Sequence, residues 1–407
     1  MFNLIRNKKI FNVFDIGYAK VACLSFKIEN NKPKIIGMDH QKSEGLKNFK
    51  LHDKKKLSKI IKKTLKNSLG KKVSSKNCIF FSNITDINSI QKKTLCRMKS
   101  GKLGVTKKDV RKIFKKSLIE SKIKGKGIIH SFPLNFILDE NKVVDNPVGE
   151  KCEKLGISSL NLMVDNLLID SLKSCFKEID IEINNYFDSG IASALSILTE
   201  YEKNEGVASI DIGALTTKVV VMNANKVIYS NVIPLGGSNV TNDLFKGLEI
   251  SKESAETAKI LNGTLSPNFN DKIEISIDSK NKKLINKNIL SGIIKPRYEE
   301  ILEIVRDNIF DNIYTRVSIK SIVISGGAGK IYGLNELSEN IFNRKTRIAT
   351  FDMKDSYFQN KPEFSTLLGL IKLARDYKKF EFTNKILSSK VHNAIDKLDN
   401  WIEESYA

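Results

Sequence analysis

Cysteine, histidine and tryptophan are scarce in this chain, and acidic residues are its minority charge. Five cysteines, Cys23, Cys78, Cys96, Cys152 and Cys175, include no Cys-x-x-Cys pair, which speaks against a zinc site, a redox motif or a disulfide framework. An odd, scattered set fits reduced and mostly buried thiols of a cytosolic protein. The four histidines are equally dispersed and make no metal site. No apolar run approaches the ~20 residues of a spanning helix, and residues 1–10 hold no apolar core suited to a signal peptide. The expectation is a chain without a leader and without a membrane span.

Lys and Arg number 68 against 46 Asp and Glu, a formal charge of +22. Such a charge invites a nucleic-acid reading. The lysines are spread along the chain, however, and no basic motif is interleaved with aromatics. A compositional bias toward Lys, Ile and Asn is the simpler account, so no nucleic-acid partner is expected. At 407 residues, 41% hydrophobic and 28% charged, the chain is long enough for two or more domains with cores of their own.

What is present is a pair of matching turns. Residues 207–222, Val-Ala-Ser-Ile-Asp-Ile-Gly-Ala-Leu-Thr-Thr-Lys-Val-Val-Val-Met, place two apolar runs around a tight turn and read as a buried hairpin. Asp211 ends the first strand, Gly213 lets the backbone bend and approach a ligand, and Thr216 offers a hydroxyl. A carboxylate, bare N–H groups and a hydroxyl suit a phosphate chain carrying Mg²⁺; the plainer alternative is an ordinary hairpin. Residues 11–26 repeat the shape, with Asp15-Ile16-Gly17-Tyr18 and then Lys20 before the second strand. A third element, Ser321-Ile-Val-Ile-Ser-Gly-Gly-Ala-Gly-Lys330, is a short strand with a turn at Gly326-Gly327, against which a flat ring or ribose could lie. Two hairpins aimed at a shared cleft would clamp a nucleotide from both sides.

In this order the three elements resemble the actin-like ATPase superfamily, and in particular the bacterial FtsA family. Asn146-Pro-Val-Gly149, Val232-Ile-Pro-Leu-Gly-Gly-Ser-Asn-Val-Thr-Asn-Asp-Leu244 and Ile294-Lys-Pro-Arg-Tyr-Glu-Glu-Ile-Leu302 also resemble that family's stretches in the same order. The resemblance implies an α/β, actin-like (ribonuclease H-like) duplicated two-domain fold, with an α+β insert and a C-terminal amphipathic helix. It implies subdomain IA over 1–82, 164–205 and 361–385 (the last with a linker), and the IC insert over 83–163. Subdomain IIA would cover 206–236 and 317–360, IIB 237–316, and a membrane-targeting helix 386–407. ATP and Mg²⁺ are the implied cofactors. Asp15, Gly17, Tyr18 and Lys20 would face the phosphates from one side, and Asp211, Gly213 and Thr216 from the other. Asp211 is the candidate catalytic residue and holds Mg²⁺ through water, while Gly326 and Gly327 lie along the adenosine. Gly236 and Gly237 precede a helix start at Thr241-Asn242-Asp243, which is either an anion or sugar site or a simply capped helix.

Around these turns, helices are expected at 53–69, 107–119, 166–176, 189–198, 252–261, 286–309 and 364–374. Pro296 should start or kink its helix, sitting in or near the first turn. In the insert, strands are expected at Gly127–Phe132, Phe136–Leu138 and Leu160–Val164. Gly190, Ala192 and Ala194 are small enough for close helix packing between the two halves. Along the tail, Leu387, Val391, Ile395, Leu398, Trp401 and Ile402 form an apolar stripe, which serves either a docked helix or one lying in a membrane interface. The resemblance points to the membrane, although Asp396, Asp399, Glu403 and Glu404 outnumber Lys385, Lys390 and Lys397 where the family's tail tip is more basic.

By resemblance, the partners are the C-terminal peptide of the tubulin-like protein FtsZ (at Arg297 and Glu300), further copies of the chain head to tail, inner-membrane lipids, and later division proteins through the insert. The place implied is the cytoplasmic face of the inner membrane at the division septum. The family's second turn is usually Asp-Ile-Gly-Gly-Gly-Thr, and here Ala214 and Leu215 replace two glycines, while Tyr18 stands where Thr or Ser is common. Those departures favour a nucleotide-binding scaffold with slow or absent hydrolysis. The rival readings are a sugar or acetate kinase on the same fold and a membrane-associated actin-like scaffold such as PilM.

Overall fold

The computed structural model describes residues 9–376, apart from 71–76, 101–103, 267–270, 277–280, 312 and 352–356. Of the expected linker at 376–385 all but Asp376, and the whole amphipathic helix at 386–407, lie outside the described residues.

The first half opens with strands β1 (Ile10–Ile16), β2 (Lys20–Glu29) and β3 (Lys32–Lys42), followed by helix α1 (Lys54–Leu69) and strand β4 (Cys78–Ile84). An insert then runs through β5 (Ile90–Lys99), α2 (Lys107–Ser121), β6 (Lys126–Leu138), β7 (Lys142–Val144) and β8 (Lys154–Asp165). The half resumes with α3 (Asn166–Lys177), β9 (Asn185–Asp188) and α4 (Ser189–Ile197). Its sheet has the order β9-β4-β1-β2-β3. Strand β1 lies at the centre and is buried over nearly its whole length, as a continuous apolar run covered on both faces should be.

The second half contains β10 (Val207–Ile212), β11 (Thr217–Asn223), β12 (Lys226–Ile233), α5 (Gly237–Leu248), α6 (Lys252–Asn262), β13 (Lys272–Ser276) and β14 (Lys282–Asn286). It continues with α7 (Lys287–Phe310), β15 (Ser321–Ser325), α8 (Leu334–Phe342) and β16 (Lys345–Ile348). Its sheet, β12-β11-β10-β15-β16, repeats the first one strand for strand. In both, the first strand is central, antiparallel to the second and parallel to the fourth. The last described helix, α9 (Ser365–Arg375), returns to pack on α4 and β1. The duplication read from the two Asp-Ile-Gly turns is thus present in the topology, and both turns sit at the same end of a central strand.

Three local expectations are corrected. In the insert, residues 126–138 form one strand and not two. Pro133 is accommodated where the register against β8 shifts, and β7 covers β6 only at Phe136–Leu138, so the missing N–H breaks no ladder on that side. Helix α5 begins at Gly237, four residues before the expected start. Pro296 lies inside α7 and not in its first turn. The residue one turn before it is Gly292, and a Cβ there would meet nothing within 4 Å, so the backbone has room to adjust where the proline cannot donate. Strand β5 carries four basic residues among ten, which hid its apolar alternation.

Candidate functional site

The two hairpins close alike. Gly17 N–H donates to the Lys20 carbonyl at 3.0 Å, and Gly213 N–H to the Thr216 carbonyl at 2.9 Å. Asp15 pairs in register with Ala22, and Asp211 with Lys218, so both aspartates hold the penultimate position of a central strand. The turns face each other across a cavity of about 120 Å³ lined by Asp15, Gly17, Tyr18, Lys20, Asp211, Gly213, Thr216, Gly326 and Gly327. All nine were assigned to a nucleotide site from the sequence. Two wider hollows, of about 540 and 490 Å³, adjoin the cavity and share Gly327 with it.

Each aspartate is held by neighbours outside its own turn. Asp15 Oδ1 accepts from Asn83 Nδ2 at 2.7 Å, and Asn83 Oδ1 accepts the Ile16 N–H at 2.7 Å, so the end of β4 fixes the first turn. Burial raises the Asp15 carboxyl above the usual range, partly offset by Lys20 and Lys218. Asp211 Oδ2 accepts from Lys218 Nζ at 3.1 Å and from the Thr366 hydroxyl at 3.4 Å. Burial alone would lower the Lys218 pKa, yet Asp211, Asp15 and Asp188 outweigh it and hold the ammonium above the usual lysine. Burial lowers Lys20 despite the opposing pull of Asp15 and Glu363. Its Nζ donates to the Glu363 carbonyl at 2.6 Å and lies 3.9 Å from the Phe364 ring centre. Burial and the neighbouring Asp86 push Tyr18 up to about 12, so the phenol remains neutral.

The glycines serve chiefly to bring loops together. Gly326 has φ +89°, and a Cβ on it would lie 2.3 Å from the Ile212 carbonyl oxygen and 2.4 Å from Asp211 Oδ1. No side chain fits there, so this glycine seats the third turn against the second. Gly236 also leaves no room: a Cβ would stand 2.7 Å from the Gly213 carbonyl oxygen. The Gly237 and Ser238 N–H groups donate to the carbonyls of Gly213 at 2.9 Å and Ala214 at 2.7 Å. The start of α5 therefore braces the second turn with the N–H groups that the sequence reading offered to an anion. Ala214 and Leu215 both line the 540 Å³ hollow.

The polar cleft residues not singled out from the sequence include Lys218, Glu256, Lys259, Glu363 and Thr366. Lys218 could have been found, because it stands directly opposite Asp211 once the hairpin is in register. Glu256 and Lys259 are neighbours on one face of α6 and carry no motif. Lys259 Nζ reaches Gly237 O at 3.0 Å, Thr241 Oγ1 at 2.8 Å and Glu256 Oε2 at 2.7 Å, and both residues line the 540 Å³ hollow. Glu363 Oε2 is buried without a hydrogen-bond partner. These groups fit a nucleoside polyphosphate: ammonium groups for phosphates, and carboxylates for hydroxyls. A magnesium ion fits less well. Among the described residues no three His, Cys, Asp or Glu side chains converge on one point, and Lys218 is already bonded to Asp211, the carboxylate to which the ion was assigned through water.

Arg297 lies away from the cavity, on α7. Its Nε and Nη2 donate to the two oxygens of Asp243 at 2.7 and 3.0 Å, and Nη1 donates to Glu300. Tyr298, beside it, is buried, and its hydroxyl donates to the Ala328 carbonyl at 2.7 Å. The Pro-Arg-Tyr segment thus links an outer ion-pair cluster to the third cleft turn. Among the described residues no helix is long and apolar enough to cross a membrane.

Comparison with known proteins agrees with this architecture. The family model described as cell division protein FtsA matches residues 208–369, and that of the SHS2 domain inserted in FtsA matches 85–162. The chain is 27% identical to the cell division protein FtsA of Agrobacterium fabrum over 364 residues, covering 84% of this chain and 81% of that protein. To the FtsA of Bacillus subtilis it is 26% identical over 384 residues (91% and 84%), and to that of Escherichia coli 21% over 422 (98% and 99%). Among solved structures, a PilM–PilN type IV pilus biogenesis complex matches with a TM-score of 0.66 at 14% identity, covering 91% of this chain and 99% of that one. MreB5 of Spiroplasma citri bound to AMPPNP matches with a TM-score of 0.57 at 15% identity, covering 91% and 97%. The fold is therefore actin-like, with an SHS2-type insert.

Proposed function

The chain belongs to the FtsA family of cell-division proteins, and from that premise we propose that it binds ATP between its two halves and tethers FtsZ filaments to the inner membrane at the division septum. The observation that carries the nucleotide part is the pair of equivalent turns, with Asp15 and Asp211 facing one cavity. Lys20 and Lys218 supply positive charge to the phosphates, and the neighbouring hollow with Glu256 and Lys259 takes the nucleoside. Bound nucleotide supplies a polyanion that draws the two turns together. The turns themselves orient it and exclude water, and the side chains of Ala214 and Leu215 hold the second turn off the phosphates. Hydrolysis is accordingly slow or absent, and the bound state is the working one.

Self-association head to tail presents many tails at once, which suits a tail whose apolar stripe gains little from charge. Weak binding of each helix then adds up through multivalency. The insert, with its own sheet and helix, is the surface for neighbouring copies and later division proteins. Family membership displaces the kinase and PilM readings of the sequence.

The test is co-sedimentation with FtsZ on liposomes, with and without ATP. The full chain should bring FtsZ to the membrane in an ATP-dependent manner, and deletion of 386–407 should leave both proteins in the supernatant. Calorimetry showing no ATP binding at millimolar nucleotide would defeat the reading of the cleft.

A further inference from the structure

We propose that Lys218 takes the place of a divalent cation beside Asp211, so that this cleft holds a nucleoside triphosphate through tethered ammonium groups and without magnesium. The inference rests on the nucleotide reading of the cleft and adds to it what balances the charge there.

The placement is set by strands, not by a loose loop. Asp211 and Lys218 are partners across the β10–β11 pair, and the bond from Nζ to Oδ2 is 3.1 Å. The lysine side chain is confined along its length. A Cβ on Gly190, in the first turn of α4, would lie 3.2 Å from Lys218 Cβ, and one on Gly213 would lie 3.8 Å from Lys218 Nζ. Only 13% of the side chain is exposed. Its ammonium therefore sits beneath the second turn, in the field of Asp211, Asp15 and Asp188.

The charge count in the cavity follows. The turn aspartates Asp15 and Asp211, together with Glu363, bring three carboxylates to the cavity, and Lys20 and Lys218 bring two ammonium groups. Two carboxylates facing a polyphosphate without such lysines would repel it unless a divalent ion stood between them. Here Asp211 is paired with Lys218, and Asp15 lies in the field of Lys20 and Lys218. Mg²⁺ demands an octahedral shell, keeps several waters, and usually leans on one or two carboxylates. To lean on Asp211 it would have to displace Lys218 or share its space, and the two cations repel. The ammonium groups can meet phosphate oxygens directly, as point-charge donors. Ala214, which stands in the cavity wall where the family has a glycine, acts in the same direction, since its methyl narrows the room for a hydrated ion.

The experiment measures binding of a fluorescent ATP analogue to the full chain in millimolar Mg²⁺ and in excess EDTA. Wild type should bind equally in the two, within about twofold. Lys218→Met, which keeps the length of the side chain and removes its charge, should lose about tenfold or more in EDTA and recover in Mg²⁺. Lys218→Arg should stay independent of the metal. Wild-type binding that collapses in EDTA overturns the proposal while leaving the nucleotide site in place. Absence of binding in both buffers overturns the nucleotide reading and this inference with it. Because the wild-type comparison stands alone, the proposal remains testable even if the methionine variant does not fold.

Discussion

A Cβ placed on Gly369 would lie 1.6 Å from the carbonyl oxygen of Ala192. The two residues mark where α9 crosses α4 between the halves, and the crossing is closer than any side chain permits. Polar contacts finish it: Ser193 Oγ reaches Ser365 Oγ at 2.8 Å and Ser325 Oγ at 3.0 Å. Helix α9 begins at the cavity, with Ser365 and Thr366 in its lining, and α4 is capped by Asp188. Gly369→Ala should therefore force the helices apart, costing about 1–3 kcal/mol or more in urea unfolding and weakening nucleotide binding in step. Gly292→Ala, with open space around it, should be neutral or stabilising by up to about 1 kcal/mol. Equal unfolding midpoints for Gly369→Ala and wild type would show that the helices tolerate a wider crossing.

The small residues of that crossing were legible in the sequence on one side only. Gly190, Ala192 and Ala194 stood out as a stripe, whereas Gly369 sat in a run of leucines that read simply as a buried helix. The same division holds for the site. Asp15, Asp211 and their turns were visible because a strand, a glycine and a strand are contiguous. Glu256 and Lys259 were not, because a helix brings them to the cleft through tertiary packing alone. Lys218 lay between these cases: its neighbours were quoted, but its role follows only from register, which places it across from Asp211. Gly236 and Gly237 show the limit of reasoning from a single loop. Their sequence fits an anion site, yet the Gly236 N–H goes to the Asn239 side chain, and the carbonyls that take the Gly237 and Ser238 N–H groups belong to a turn more than twenty residues earlier.

His130 connects the insert to the start of α4 and makes that junction sensitive to acid. Its Nε2 accepts the Asp188 N–H at 2.9 Å, and the ring stacks between Phe132 and Phe187. Burial lowers its pKa from 6.5 to about 3. In the unfolded chain the ring takes a proton below its ordinary pKa, and in the folded chain it resists until far lower pH. Between those values the unfolded state binds more protons, so the stabilisation is complete above 6.5 and is lost as pH falls toward 3. His130→Gln keeps an acceptor for the N–H and removes the titration. From pH 7 to pH 5, wild type should lose about 2 kcal/mol more than the glutamine variant in urea unfolding. Parallel losses in the two proteins would place the acid sensitivity in other groups.

The proposed FtsZ-tail contact turns on what Arg297 is already doing. Its planar fork is engaged by Asp243 through two parallel bonds and by Glu300 through a third nitrogen. That geometry suits a carboxylate, such as the end of a C-terminal peptide carries, but one carboxylate is in place. An incoming peptide must either use the N–H groups still facing outward or displace Asp243. The two residues therefore give opposite expectations. Arg297→Glu should abolish binding of a labelled FtsZ tail peptide while leaving nucleotide binding intact, and Arg297→Lys should lose part of it, since an ammonium cannot hold two parallel bonds. Asp243→Ala frees the fork, so peptide binding should tighten severalfold even as the α5–α7 contact loses about 1 kcal/mol or more of stability. Charge reversal at Lys320, outside this cluster, is the control for the general effect of net charge. Tighter binding by Asp243→Ala together with loss in Arg297→Glu identifies the guanidinium as the receiver. Weaker binding in both would mean that the ion pair only shapes this surface, with the peptide held elsewhere on it. Equal binding by wild type and Arg297→Glu removes the cluster from the contact altogether.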